Sequence, residues 1–135
     1  MAGRYGMSFA SKMIQEGKYA EAVEEAARAA ARDEEDPAPL VERASAYAWL
    51  ERYPEAVKDL EAAIELDKTA GVLEMDVVDD AYFSALLGAA KLEARTSLQA
   101  ADRMLERYGT ILPEGRHLAD AAAWPDRLRA AGGGA

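Results

Sequence analysis

The chain has 135 residues, 16 Lys and Arg against 25 Asp and Glu for a net charge of −9, no cysteine, and 31 alanines that make up almost half of its apolar content. That length fits one compact domain or one short repeat array, the missing cysteines exclude disulfides and thiolate metal sites, and the acidity argues against nucleic acid, whose phosphates need clustered cations, and against an anionic membrane surface. No apolar run approaches the roughly 18 residues of a membrane span, the N-terminus lacks the marks of a signal peptide and Ala2 excludes myristoylation, so a soluble, cytoplasmic protein is expected.

Helix signals follow one another along the chain, without a strand signal. Met7, Ala10, Met13 and Ile14 recur at spacings of three and four over Met7 to Glu16, and Gly17 supplies a left-handed stop. Ala22, Val23, Ala26, Ala29 and Ala30 share one face of a second helix, Ala20 to Arg32. The acidic run Asp33 to Asp36 before Pro37 and Pro39 reads as a loop. A third helix starts near Pro39 and runs to about Glu51; Pro54 opens a fourth, and Lys68 to Glu74 reads as loop. Asp76 with Asp79 resembles a capping box for a fifth helix ending near Glu93, and Thr96 with Gln99 repeats the device for a sixth, ended by Gly109. A weaker helix covers Glu114 to Ala123, Trp124-Pro125 marks a kink or break, and the closing Gly-Gly-Gly-Ala is expected to fray. Charge is uneven: residues 37–80 hold 4 basic against 11 acidic side chains, and residues 81–135 hold 7 against 6. Glu55, Asp59, Glu61, Glu65 and Asp67 read as a solvated helix face.

Six helices in short-looped pairs raise the question of repetition. Gly17-Lys18-Tyr19-Ala20-Glu21-Ala22-Val23 lies over Glu51-Arg52-Tyr53-Pro54-Glu55-Ala56-Val57 at an offset of 34, with Tyr, Glu, Ala and Val coinciding. Ala10 over Ala44, Ala26 over Leu60 and Ala29 over Ala63 keep the register. This spacing and these residue types resemble the tetratricopeptide repeat, a 34-residue helix-turn-helix unit with the pattern W-x2-L-G-x2-Y, A-x3-F and a closing Pro. The second copy carries Leu40, Ala44, Tyr47, Tyr53, Ala56, Leu60 and Ala63, with Lys68 where the family has Pro. A third copy, degenerate, has Leu87-Gly88 at the L-G dipeptide and Ala100 and Met104 at the A-x3-F positions, after an insertion of about ten residues near Thr69 to Val78.

The resemblance implies an all-α, right-handed superhelical solenoid formed by one domain, residues 1–135. Its three repeats span about 3–36, 37–70 and 81–110, and a capping helix at 114–131 carries Leu118, Trp124 and Leu128. It further implies a protein-interaction module, an adaptor or scaffold, whose first helices line a concave groove. Carried over repeat by repeat, the groove positions are Arg4, Met7, Ser11 and Ile14; Val41, Ser45, Ala48 and Trp49; and Tyr82, Ala85, Ala89 and Leu92. Such an apolar lining suits an apolar peptide or amphipathic helix of another protein. The acidic-tail grip of chaperone-binding relatives needs Lys, Asn and Arg, and those places hold Met7, Ser11, Glu42, Tyr82 and Leu86. Two alternatives are a secretion-type chaperone that shields a client segment and a self-associating scaffold, a homo-oligomer. The single histidine, His117, reads as a surface residue; with no Cys nucleophile, no G-x-S-x-G, no phosphate loop and no calcium-loop pattern, no enzyme, cofactor or metal is expected.

Overall fold

The computed structural model describes residues 8–132, where seven α-helices and no strand form. They are α1 (Phe9–Gln15), α2 (Tyr19–Arg32), α3 (Ala38–Trp49), α4 (Tyr53–Ala70), α5 (Met75–Glu93), α6 (Leu98–Ile111) and α7 (Leu118–Gly132). All the expected helices are present, with several ends displaced. Ser8 opens α1 because its Oγ accepts the Ser11 N–H at 3.0 Å, satisfying a donor the helix itself cannot. α4 continues through Lys68 and Thr69, which were expected in the loop, because nothing there breaks a helix; it ends at Gly71, whose φ of 63° sets the left-handed cap. Asp67 Oδ1 then accepts the N–H groups of Val72 and Leu73. Ser97, rather than Thr96, caps α6, its Oγ accepting from Ala100 N–H at 3.0 Å. α7 runs unbroken through Trp124-Pro125, with Trp124 and Leu128 packed on either side of the proline.

The 34-residue offset reappears in the backbone. Gly17 and Glu51 both have positive φ, 79° and 59°. The next residues, Lys18 at φ −92°, ψ 65° and Arg52 at φ −95°, ψ 67°, have nearly the same conformation. Lys18 N–H donates to Met13 O and Arg52 N–H to Tyr47 O, each at 2.8 Å, while Gly17 N–H donates to Ile14 O and Glu51 N–H to Ala48 O at 3.0 and 2.9 Å. These paired bonds end α1 and α3 in the same Schellman turn.

Contacts divide the chain into two compact units, Met1–Glu74 and Met75–Ala135. In the first, α1 packs on α2, α2 on α3, α3 on α4, and α1 also meets α3. Small side chains make this approach possible: Ala10 and Ala44, matched by the offset, are each 2 % exposed, and Ala22, Ala26, Ala56 and Ala63 are fully buried. Asp59 is buried here too, contrary to its reading as part of a solvated face. Its carboxylate takes a two-pronged grip from Arg43, Nε to Oδ2 at 2.8 Å and Nη2 to Oδ1 at 2.7 Å, joining α3 to α4. That bond holds the Arg43 guanidinium above its ordinary pKa.

In the second unit α5 packs on α6, α6 on α7, and α5 also meets α7. Burial corrects the register of the third copy by one residue. Ala89, Ala101, Leu105 and Tyr108 are the buried positions 45 residues beyond Ala44, Ala56, Leu60 and Ala63. Gly88, Ala100 and Met104 therefore do not hold the places expected of them, and the insertion is longer by one residue than the sequence suggests.

Candidate binding surface

In the first unit, α1 and α3 lie side by side and a polar clasp ties them. Glu42 Oε2 accepts from Ser8 Oγ at 2.6 Å and from Ser11 Oγ at 3.4 Å. Beside this clasp, Ser11, Ile14 and Val41 are half-buried and Ser45 is exposed. Trp49, at the end of α3, is 62 % exposed, its ring stacked on Tyr19 of α2 with centroids 5.3 Å apart and planes 5° from parallel. Among these residues the only charge is that of Glu42. The surface offers a flat indole face, short aliphatic side chains and hydroxyls. Met7, the other groove residue expected here, lies outside the described residues, as does Arg4.

The second unit departs from expectation. Tyr82 is fully buried, and Ala85 and Ala89 are 2 % and 1 % exposed, so none of the three offers a surface to a partner. Tyr82 stacks on Tyr108 of α6 at 6.1 Å, and α5 is packed by α7 as well as by α6. A first helix covered from two sides has no free face where the groove positions fall. Only Leu92, 39 % exposed, is partly open among the four residues carried over to this helix.

Two residues that sequence reasoning misplaced, Asp79 and His117, are joined through Tyr108, which it did not single out. Asp79 does not cap α5: its carboxylate accepts from the Tyr108 hydroxyl and from Arg116 N–H at 3.0 Å. The Tyr108 oxygen in turn accepts His117 N–H at 2.9 Å. Nor is His117 a free surface residue: its ring stacks on Phe83 at 4.6 Å, and Nε2 lies 2.6 Å from Asp80 Oδ1. That contact and the nearby Arg116 hold the Asp80 carboxyl below its ordinary pKa. Burial, reinforced by the bond to Asp79, pushes the Tyr108 hydroxyl up to about 12. This is opposite to what a nucleophile or base working near neutrality requires, and the linkage reads as a joint between α5, α6 and the start of α7. Among the described residues no cluster of His, Asp or Glu is arranged to hold a metal ion, and no helix is long and apolar enough to cross a membrane.

No family model and no curated protein matches the chain. A solved structure does: the second TPR domain of human RPAP3, determined in complex with the HSP70 peptide SGPTIEEVD, superposes with a TM-score of 0.56 at 24 % identity, covering 89 % of this chain and 88 % of that one. The helix pairs, the recurrence of turn geometry at 34 residues and this likeness agree, and the chain has the fold of a tetratricopeptide-repeat domain.

Proposed function

We propose that this chain is a protein-interaction module that holds an apolar peptide or amphipathic helix of a partner protein against the α1–α3 face, serving as an adaptor or scaffold. The observation that carries the reading is Trp49: a large apolar ring at the end of α3, mostly open to solvent and stacked on Tyr19 at the start of α2. A large aromatic is the residue type that dominates interface energies. Met7, Ser11, Ile14, Val41 and Ser45 complete the proposed contact, and Tyr82, Ala85 and Ala89 drop out of it.

The RPAP3 domain is similar in fold and binds a peptide with three acidic side chains. For this chain an apolar segment suits the face better. Glu42 puts a carboxylate there, the chain carries −9, and no cation sits among the proposed contact residues. The test is affinity capture from the native cell with mass spectrometry, comparing the parent chain with Trp49→Ala and with Ile14→Ser, and checking each by circular dichroism. Both variants should keep their helical spectrum and lose the captured protein. A synthetic peptide from that protein's apolar segment should compete with it. Capture that is unchanged by both substitutions refutes the α1–α3 face as the binding site.

A further inference from the structure

The second unit has an opening of its own, distant in sequence from the face just described. The end of α5, the start of α6 and the last turns of α7 border an open recess of about 420 Å³, lined by Ala94, Leu98, Trp124 and Leu128 and by Lys91 and Arg95. No carboxylate lines it. The Lys91 ammonium stands 4.9 Å from the centre of the Trp124 ring, and the Arg127 guanidinium is 5.3 Å from it. In a chain of net charge −9, acidic side chains are abundant. Lys91, Arg95 and Arg127 form no ion pair with a described residue, as is also true of Lys12, Lys58 and Arg103 elsewhere in the chain, whereas Arg28, Arg32, Arg43, Arg52, Arg116 and Arg129 have carboxylate partners. With Lys91 and Arg95 in its lining, Arg127 beside the Trp124 ring and no carboxylate among the lining residues, the recess is locally cationic in a chain that is acidic as a whole.

We infer that this recess docks an acidic amphipathic helix of another protein, with one or two of its apolar side chains seated against Trp124, Leu98 and Leu128 and its carboxylates meeting Lys91 and Arg95. The volume is within the range of sites that take a few side chains. Complementary charge at the rim adds selectivity and speeds encounter. A polyanion or an anionic bilayer would meet these three cations too, but also the repulsion of the remaining −9 chain, which a short helix docked on this spot largely escapes. Because the recess shares no residue with the α1–α3 face, this inference stands or falls separately from the function proposed above.

The chain has two tryptophans, so Trp49→Phe leaves Trp124 as the sole reporter of the recess. In that background, two synthetic amphipathic peptides of equal length are titrated: one with leucines at helical spacing and glutamates elsewhere, the other with lysines replacing the glutamates. The Leu/Glu peptide should shift Trp124 emission and bind about tenfold or more tightly than the Leu/Lys peptide. Added salt should weaken it, and Lys91→Glu with Arg95→Glu should reverse the preference while leaving circular dichroism unchanged. Equal binding of the two peptides, or no response to the Leu/Glu peptide, overturns the inference. So does a response confined to phosphatidylglycerol vesicles, which makes the occupant a lipid surface. An emission change that follows protein concentration, with a doubled mass in light scattering, overturns it in favour of a second copy.

Discussion

Glu51 has a backbone conformation that its own side chain disfavours. At φ 59° it occupies the left-handed region where Gly17 sits in the preceding repeat, and a Cβ there crowds the neighbouring carbonyl. Both turns keep the same hydrogen bonds, so the difference between them is chiefly this strain. Glu51→Gly should therefore raise stability by about 0.5–1 kcal/mol after the added chain entropy of glycine is deducted, and Gly17→Ala should lower it by about 1 kcal/mol. Urea midpoints at constant slope measure both; a lower midpoint for Glu51→Gly would mean that the glutamate side chain stabilises the turn by more than the strain costs. Gly17 announces its turn in the sequence. Glu51 does so only through its alignment with Gly17, since no rule places a glutamate at positive φ. Asp79 and His117 were less legible still: an aspartate near a helix start looks like a cap and a lone histidine looks like surface until Tyr108, 29 residues from Asp79, is brought between them.

At the scale of elements, Tyr108 fastens the segment leading into α7 to α5 and α6. The approach is close: a Cβ on Gly115 would collide with the Tyr108 hydroxyl, so this loop position requires glycine. Since burial raises the hydroxyl from 10 to about 12, its contribution to stability is whole below pH 10 and is lost as pH rises through about 12. The difference in tyrosinate absorbance between the parent chain and Tyr108→Phe should show one hydroxyl titrating near 12. The variant should lose about 1–3 kcal/mol at neutral pH, because Asp79 is left buried with one donor fewer. A difference titrating near 10 would show that the hydroxyl is solvated. The end of α1 was readable because Gly17 forces it, whereas α4, expected to stop before Lys68, runs on to Gly71. The third repeat slipped by one because Gly88-Ala89-Ala90 and Ala100-Ala101 each offer adjacent small residues, and only the packing of α6 and α7 on α5 selects among them. The same packing closed Tyr82, Ala85 and Ala89, which a repeat motif left open because it carries no information about the next helix in the chain.

For the whole molecule, charge is the property to test. A net −9 on 135 residues sets up self-repulsion that acts over the Debye length, while most of the ion pairs are exposed ones within or next to a helix turn, such as Arg28–Glu25, Arg52–Glu55 and Lys68–Glu65. Raising the salt from about 0.01 to about 0.15 M shortens that length from roughly 30 to roughly 8 Å. The melting temperature should rise over this interval, since relief of long-range repulsion outweighs the weakening of exposed pairs. A fall would show that those pairs contribute more than their exposure suggests. The all-α class and the 34-residue period were legible because alanine spacing records how closely helices approach. The partner-facing chemistry was not, because it depends on which faces later helices cover.

The Arg43–Asp59 grip has a bearing on how the chain finds its fold. The two hairpins share the same turn, and alanines pack at matched positions in both. The positions equivalent to Arg43 and Asp59 in the first hairpin are Phe9 and Glu25, 34 residues earlier. Were α4 to settle against α1, Asp59 would lie beside a phenyl ring, a buried carboxylate stripped of its cation, at a cost of several kcal/mol. The grip thus acts as a password between α3 and α4, exchanged correctly only when α4 folds back on the helix that immediately precedes it.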